Sequence, residues 1–461
     1  MGFIAGIPAI VAILYAQARG VPAAFLDVYL PILLLLPDYY RWVLPALPDP
    51  TFGEAAIMPI MVLFLLKNGW RFSFTDILIF GYALAMGYSE YLNAGYSDAQ
   101  NLTFDMLGTV VFPYMLAKGL IEPKNLGIAF GRRFVMLLFW ISVISLYEFR
   151  FGATPWQLIL GRFFPGQGDG WITTFRWGFA RVAGPYGHAI LAGLILIIGY
   201  RVQKWLEWNK AWEAKSRHFP ALPISKTMAI TVGLLGGVVM TMVRGPWIGG
   251  FVGAIFTWIG RSKNRKAALL MFLGGIFLIG IPVGVVFYRY ASVGRANAKS
   301  DSQETAAYRK ELLDKYIAIA EEKLVWGWGT SGWPKVPGMP SIDNYYLLLT
   351  LMHGVVAMAL LLLTLLITIV RLTVRGFNRP PPALRGGSLA FTLAGIHVAI
   401  LITIATVFMG GQVVSIWALM TGWAEGYLLA DRRSEGNSEG KTASQDSVAA
   451  AQPFAFKRVV A

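Results

Sequence analysis

Three arginines stand where chemistry is easiest to imagine. Arg181 lies in Arg176-Trp-Gly-Phe-Ala-Arg-Val-Ala-Gly-Pro-Tyr-Gly-His188, just ahead of an apolar run. Arg244 lies in Met242-Val-Arg-Gly-Pro-Trp-Ile-Gly249, between two apolar runs. Gly245-Pro246 forces a turn there and puts a proline near the first position of the next helix, where its missing N–H costs little. A guanidinium beside the free N–H groups of a helix start is a setting for phosphate. Taken alone, Arg244 also fits an arginine snorkelling to lipid headgroups, but Arg181 on the same side favours an anion site. Arg309 flanks the apolar positions Tyr308, Leu312, Tyr316, Ile319 and Leu324, whose spacing predicts an amphipathic helix over Glu304–Val325 able to lie on a membrane surface. A solvated helix face is the competing reading of Arg309.

Other groups lie near these in the predicted topology. Trp326-Gly-Trp-Gly-Thr-Ser-Gly-Trp-Pro334 offers flat faces at Trp326, Trp328 and Trp333, suited to sugar rings or to the membrane interface. Ser341-Ile-Asp-Asn-Tyr-Tyr346 sets Asp343, Asn344 and Tyr345 at the mouth of a span, where Asp and Asn also serve as helix caps. His188, expected about one turn into its helix, reads as a base or as a structural histidine. His218 falls in a loop, and His353 and His397 fall within spans as packing residues. Glu90 and Glu148 near helix ends are expected to pair with the arginines, and Glu425 is the least explained charge. The chain has no cysteine and four scattered histidines, so no disulfide framework, thiolate nucleophile or metal site is expected.

The elements that position these residues are membrane spans. The 461 residues are 56% hydrophobic and 14% charged, with a mean hydropathy of +0.56, which excludes a soluble enzyme. The net charge of +15 reads as topology and anionic-lipid contact rather than a nucleic-acid surface. With about 20 apolar residues per crossing, the chain predicts an all-α polytopic membrane protein of about twelve or thirteen spans. The clearest are 73–92, 104–121, 131–149, 184–203, 227–244, 246–260, 267–287, 343–370, 388–408 and 412–430; 3–17, 24–37 and 53–66 are shorter, and the first two form one tight hairpin. The segment 1–17 lacks a charged start and a cleavage site and reads as a retained span.

Basic residues recur on alternate loops, at Lys67/Arg71, Lys118 to Arg133, Arg201 to Lys226, Arg261 to Lys266 and Arg371 to Arg385, which makes that side cytoplasmic. The organisation is then N-terminal spans over 1–150, an outer loop at 151–183, spans over 184–287, a large outer loop at 288–342 carrying the amphipathic helix, spans over 343–430 and a disordered cytoplasmic tail at 431–461.

The order of these motifs resembles the O-antigen ligase and polymerase family of bacterial envelope glycosyltransferases. The resemblance covers roughly 175–375: Arg181 before its span, Arg244 in Val-Arg-Gly-Pro-Trp-Ile-Gly, Arg309 opening a helix that runs into Leu324-Val-Trp-Gly-Trp-Gly, and Asp343-Asn-Tyr-Tyr-Leu followed by Gly354. It implies a GT-C-like, inverting, metal-free enzyme without cofactor. Such an enzyme moves a glycan from undecaprenyl diphosphate to an acceptor sugar, either a lipid A core or a growing polysaccharide, on the outer (periplasmic) face of the bacterial inner membrane. On this implication Arg181 and Arg244 grip the diphosphate and Arg309 assists. Ligases of the family typically carry a histidine at the start of the span after the long loop, yet here that place reads Ile342-Asp-Asn-Tyr-Tyr and the loop has none. The base is then Asp343, or His188 from another helix, or the chain is a polymerase whose base differs.

Two readings from other classes compete. A transporter or flippase of lipid-linked oligosaccharide should carry its polar site at mid-membrane, whereas most candidate charges here sit at one end. A scaffold that docks partners on the 304–325 helix leaves Arg181 and Arg244 unexplained.

Overall fold

The computed structural model describes residues 2–45, 47–67, 70–168, 173–213, 225–339, 341–378 and 386–430. The expected tail 431–461, His218, and the loop cations Lys215, Arg217, Arg379 and Arg385 lie outside the described residues. The chain forms an all-α polytopic membrane protein, with one short hairpin as its paired strands among the described residues.

Among the described residues, six helices are by themselves long and apolar enough to cross a bilayer: Gly2–Arg19, Gly127–Phe151, Ala189–Trp208, Arg265–Ala291, Tyr345–Asn378 and Gln412–Ala430. Shorter apolar helices, Val21–Leu35, Lys226–Met240 and Leu389–Thr403, lie among them. Phe52–Lys67, Phe74–Ala94, the helical stretch 96–120 and Arg244–Arg261 occupy the remaining places where apolar runs predict spans. Gly20 alone separates the first two helices, the expected tight hairpin.

Backbone proximity holds part of the bundle together. Gly249 and Gly253 of the Arg244–Arg261 helix face Ala399 and Gly395 of Leu389–Thr403 so closely that a Cβ on Gly253 or Gly395 would strike the opposite carbonyl oxygen. This is the small-residue packing that lets apolar helices associate where lipid offers no hydrophobic drive. Arg265–Ala291 is different: none of its most apolar stretch is buried against protein, so lipid is its natural surrounding.

Charges divide between the two ends. At the basic end, Lys118 forms a buried pair with Asp76 at 2.6 Å, and Arg371 forks onto Glu425 at 2.6 and 3.1 Å with Thr75 alongside, which accounts for Glu425. At the opposite end the loops 36–51, 152–188, 292–344 and 404–411 meet, and the candidate residues lie there.

The long loop departs from expectation. Its helix is Asp301–Glu322, ending before Leu324 and Val325, which are exposed. The apolar side of that helix does not lie on a membrane surface: Leu312, Tyr316 and Ala320 pack on Met339, Ile342, Leu347 and Leu351, and Tyr316 Oη donates to the Met339 carbonyl. Protein covers the stripe because the chain folds back over it within twenty residues.

Candidate functional site

Arg181 sits at the end of a hairpin in which Phe175–Arg176 pairs with Phe179–Ala180 across Trp177-Gly178, both in the left-handed region that a two-residue hairpin turn requires. The hairpin docks on the break between the Lys226–Met240 and Arg244–Arg261 helices. Arg176 Nη1 donates to the Met242 carbonyl at 2.6 Å, Arg181 Nε reaches the Thr241 carbonyl at 3.5 Å, and the Val182 N–H donates to the Met240 carbonyl at 3.2 Å. That break is compact because Met242 takes a left-handed conformation, with φ of 50°.

Arg244 is the first residue of the following helix rather than part of the break. Its guanidinium is exposed and, among the described residues, makes no hydrogen bond or ion pair. Arg176, Arg181 and Arg244 thus gather at one three-residue turn beside a helix start. Burial, with Arg176 nearby, pulls the Arg181 pKa down from the usual guanidinium range.

The residues after Arg181 are held by Glu148, which is 1% exposed. Its two oxygens accept from the Ala183 and Gly184 N–H groups, each at 2.9 Å. Glu148 therefore fixes backbone and does not pair with an arginine, and Glu90 likewise accepts from the N–H and hydroxyl of Thr330, both at 2.8 Å.

His188 is not inside its helix. It is the N-cap of Ala189–Trp208, and its Nδ1 accepts from the Ile190 N–H at 3.2 Å. A neutral ring so engaged carries its proton on Nε2. Burial first, then Arg181, lowers the His188 pKa, while Asp343 opposes them, so the histidine feels both the arginine and the acid. Asp343 and Asn344 separate in role: Asn344 Oδ1 caps the Tyr345–Asn378 helix through the Leu347 N–H at 3.2 Å, whereas Asp343 makes no hydrogen bond among the described residues. An open cleft beside Arg181 and His188 is lined by Tyr39, Glu148, Thr174, Arg181, Gly187 and His188, and Arg244 and Asp343 lie outside its lining.

Other candidates are placed elsewhere. Tyr345 is buried, with its hydroxyl 3.1 Å from that of Tyr82, so it belongs to the core and not to a sugar surface. Trp326 packs edge-on against Tyr88, Trp328 donates to the Ile319 carbonyl under the Lys323 ammonium, and Trp333 packs on the loop helix. The glycines between them have a backbone task. The Tyr345–Asn378 helix is broken at Gly354, with φ of 78°, and the broken strand of hydrogen bonds is completed by 324–329: Trp328 and Gly329 donate to Leu351 and Met352, and Val355 donates to Leu324. Arg309 is exposed on its helix and bonded neither to Arg181 nor to Arg244. The described residues contain no group of three His, Asp or Glu side chains arranged to hold a metal ion.

Sequence reasoning missed Arg176, which reads as one more interfacial cation, and Tyr39, whose loop carries no motif. Long apolar helices define a multi-pass membrane protein, with Arg176, Arg181 and Arg244 near one helix break. Residues 229–362 match the family model described as O-antigen ligase, so this part of the chain is similar to that family. The match contains Arg244, Arg309, Asp343 and Asn344, while Arg181 and His188 precede it. No curated protein matches the sequence.

Proposed function

We propose that this protein is an inverting glycosyltransferase of the bacterial inner membrane that moves a glycan from undecaprenyl diphosphate to an acceptor sugar at the periplasmic face. The observation that carries the reading is the convergence of Arg176, Arg181 and the unpaired Arg244 on the turn 241–243, within the orbit of the family match. In this reading Arg181 and Arg244 grip the diphosphate, and Arg309, exposed on the long loop's helix, assists as a mobile second contact. Arginine suits the task because it stays ionised and bonds phosphate bidentately.

The acceptor hydroxyl oxygen attacks the anomeric carbon of the donor sugar while the bond from that carbon to the phosphate oxygen breaks. Undecaprenyl diphosphate leaves with the electron pair, its charge held by the fixed guanidinium groups. Asp343 takes the hydroxyl proton. It is favoured over His188 because the His188 Nδ1 lone pair is already spent on the Ile190 N–H, whereas Asp343 has no internal hydrogen bond. His188 stays the cap of its own helix. Asn344 stays a cap, and the three tryptophans frame the loop.

The test is glycan transfer by the purified protein in nanodiscs from a native lipid-linked donor pool, with EDTA throughout. New glycosidic bonds that disappear with Asp343→Asn support the reading, and product length separates a ligase from a polymerase. Movement of intact lipid-linked sugar between leaflets with no bond formed would replace it by a flippase.

A further inference from the structure

A second polar cavity opens at the same end of the bundle, lined among others by Tyr29, Asp38, Arg41, Glu54, Thr109 and Gln412. Asp38 lines it, while Tyr39, next in the chain, lines the arginine cleft. Gln412 links the two walls: its Nε2 donates to the Leu36 carbonyl at 2.9 Å and to the Pro185 carbonyl at 3.2 Å.

Much of the polar capacity here is spent internally. Arg41 forks onto Asp105, Nη1 to Oδ1 at 3.0 Å and Nη2 to Oδ2 at 3.2 Å. Glu54 closes a capping box with Thr51, its Oε2 accepting the Thr51 N–H at 2.8 Å while its own N–H donates to the Thr51 hydroxyl at 3.2 Å. Among the described residues, three atoms of this lining have no hydrogen-bond partner: Glu54 Oε1, Gln412 Oε1 and Tyr29 Oη. Their residues are 1%, 3% and 1% exposed, and all three line this one cavity. Buried polar atoms are nearly always partnered, so three together point to a ligand's atoms.

The backbone is also specialised. Residues 25–29 and 107–111 form widened helical turns, with the Leu30 N–H reaching Phe25 and the Phe112 N–H reaching Leu107, five residues back. Such bulges recur at functional sites, and these two carry Tyr29 and Thr109 into the cavity.

The donor set selects the ligand. Residues lining the space supply two carbonyl-type acceptors, the Asp38 carboxylate and the Tyr29 and Ser415 hydroxyls, and the one arginine of the lining is committed to Asp105. A phosphate would meet acceptors with acceptors. A sugar hydroxyl brings one donor and two acceptor sites, matching Glu54 and Gln412 as acceptors and Tyr29 as either. We propose that this cavity is a saccharide subsite, in which Glu54, Gln412 and Tyr29 hold hydroxyl groups of the acceptor glycan beside the arginine cleft. That the bound saccharide is the acceptor rests on the glycosyltransferase reading above.

The experiment is equilibrium binding, by saturation-transfer NMR, of oligosaccharides released with mild acid from the host's own surface polysaccharide to the full chain in nanodiscs. The wild type is expected to bind, and Tyr29→Phe to weaken binding about 3- to 10-fold, the worth of one hydrogen bond. Because the Tyr29 hydroxyl bonds no protein group, Tyr29→Phe should leave the unfolding temperature unchanged or higher, which guards against a folding defect. Glu54→Gln should weaken binding comparably. No binding by the wild type, or equal affinity in both variants, overturns the subsite and leaves ordered water as the cavity's occupant. The assay uses no lipid-linked donor and forms no bond, so it fails independently of the transfer assay. Transfer without saccharide binding overturns the subsite alone, and binding without transfer overturns the enzyme reading alone.

Discussion

Replacing Glu148 tests whether the arginine cleft is pre-built. Its carboxyl lies inside the Gly127–Phe151 helix with both oxygens accepting backbone N–H groups at 2.9 Å, two and three residues after Arg181. Glu148→Leu removes both acceptors and leaves two N–H groups unpaired, at about 1–3 kcal/mol each, so about 2–6 kcal/mol of stability. Glu148→Gln keeps one acceptor and turns an amide N–H towards the other donor, so about half of that is expected. Function should suffer further, because Ala183 and Gly184 set the path of the chain that aims Arg181. The donor half-saturation concentration should rise about 10-fold or more, the worth of one charge-assisted contact. Thermal unfolding in detergent and transfer rates at varied donor give the two readouts. A Glu148→Leu protein that unfolds at the wild-type temperature and keeps wild-type donor affinity would refute the clamp.

Other predictions follow from the same contacts. Gly354→Ala places a Cβ against the Val325 carbonyl at a φ of 78°, a glycine-only region, and should cost at least about 1–3 kcal/mol while freeing 324–329 for proteolysis; thermal unfolding and limited digestion check it. Arg371→Met strands the buried Glu425 and should cost about 3–5 kcal/mol in thermal unfolding, while the double variant with Glu425→Leu should recover most of that loss. Asp38 is pushed up from 3.8 to about 6, chiefly by burial. The folded state therefore binds more protons than the unfolded one in that window, and stability falls as pH rises from 3.8 through about 6. Asp38→Asn should raise the unfolding temperature more at pH 7.5 than at pH 5.

The apolar helices were legible because a bilayer makes length and hydropathy strict requirements. The break ahead of Arg244, on which the Arg181 loop docks, was legible because a glycine-proline pair between apolar runs has few uses. What stayed hidden was local partnering. Glu90 and Glu148 look like counter-ions in sequence, but backbone N–H groups at loop turns, invisible without coordinates, claim them. His188 misplaced itself by one turn because Gly184-Pro-Tyr forms a short separate helical turn before the span begins. Trp326 to Trp333 suggested sugar stacking, although the glycines between them matter more, feeding backbone into the break at Gly354. The cavity of Tyr29, Glu54 and Gln412 draws on residues nearly four hundred positions apart, and no local motif announces it.

The central claim is that the turn 241–244 is a diphosphate clamp. The most direct measurement is equilibrium binding of undecaprenyl diphosphate to the purified protein in nanodiscs, comparing wild type, Arg181→Ala and Arg244→Ala at low and high salt. Each substitution is predicted to weaken binding by about 10- to 100-fold, from about 1.5–3 kcal/mol per charge-assisted contact, with a shallower salt dependence. Wild-type affinity in both variants would contradict the clamp and return Arg244 to the lipid headgroups.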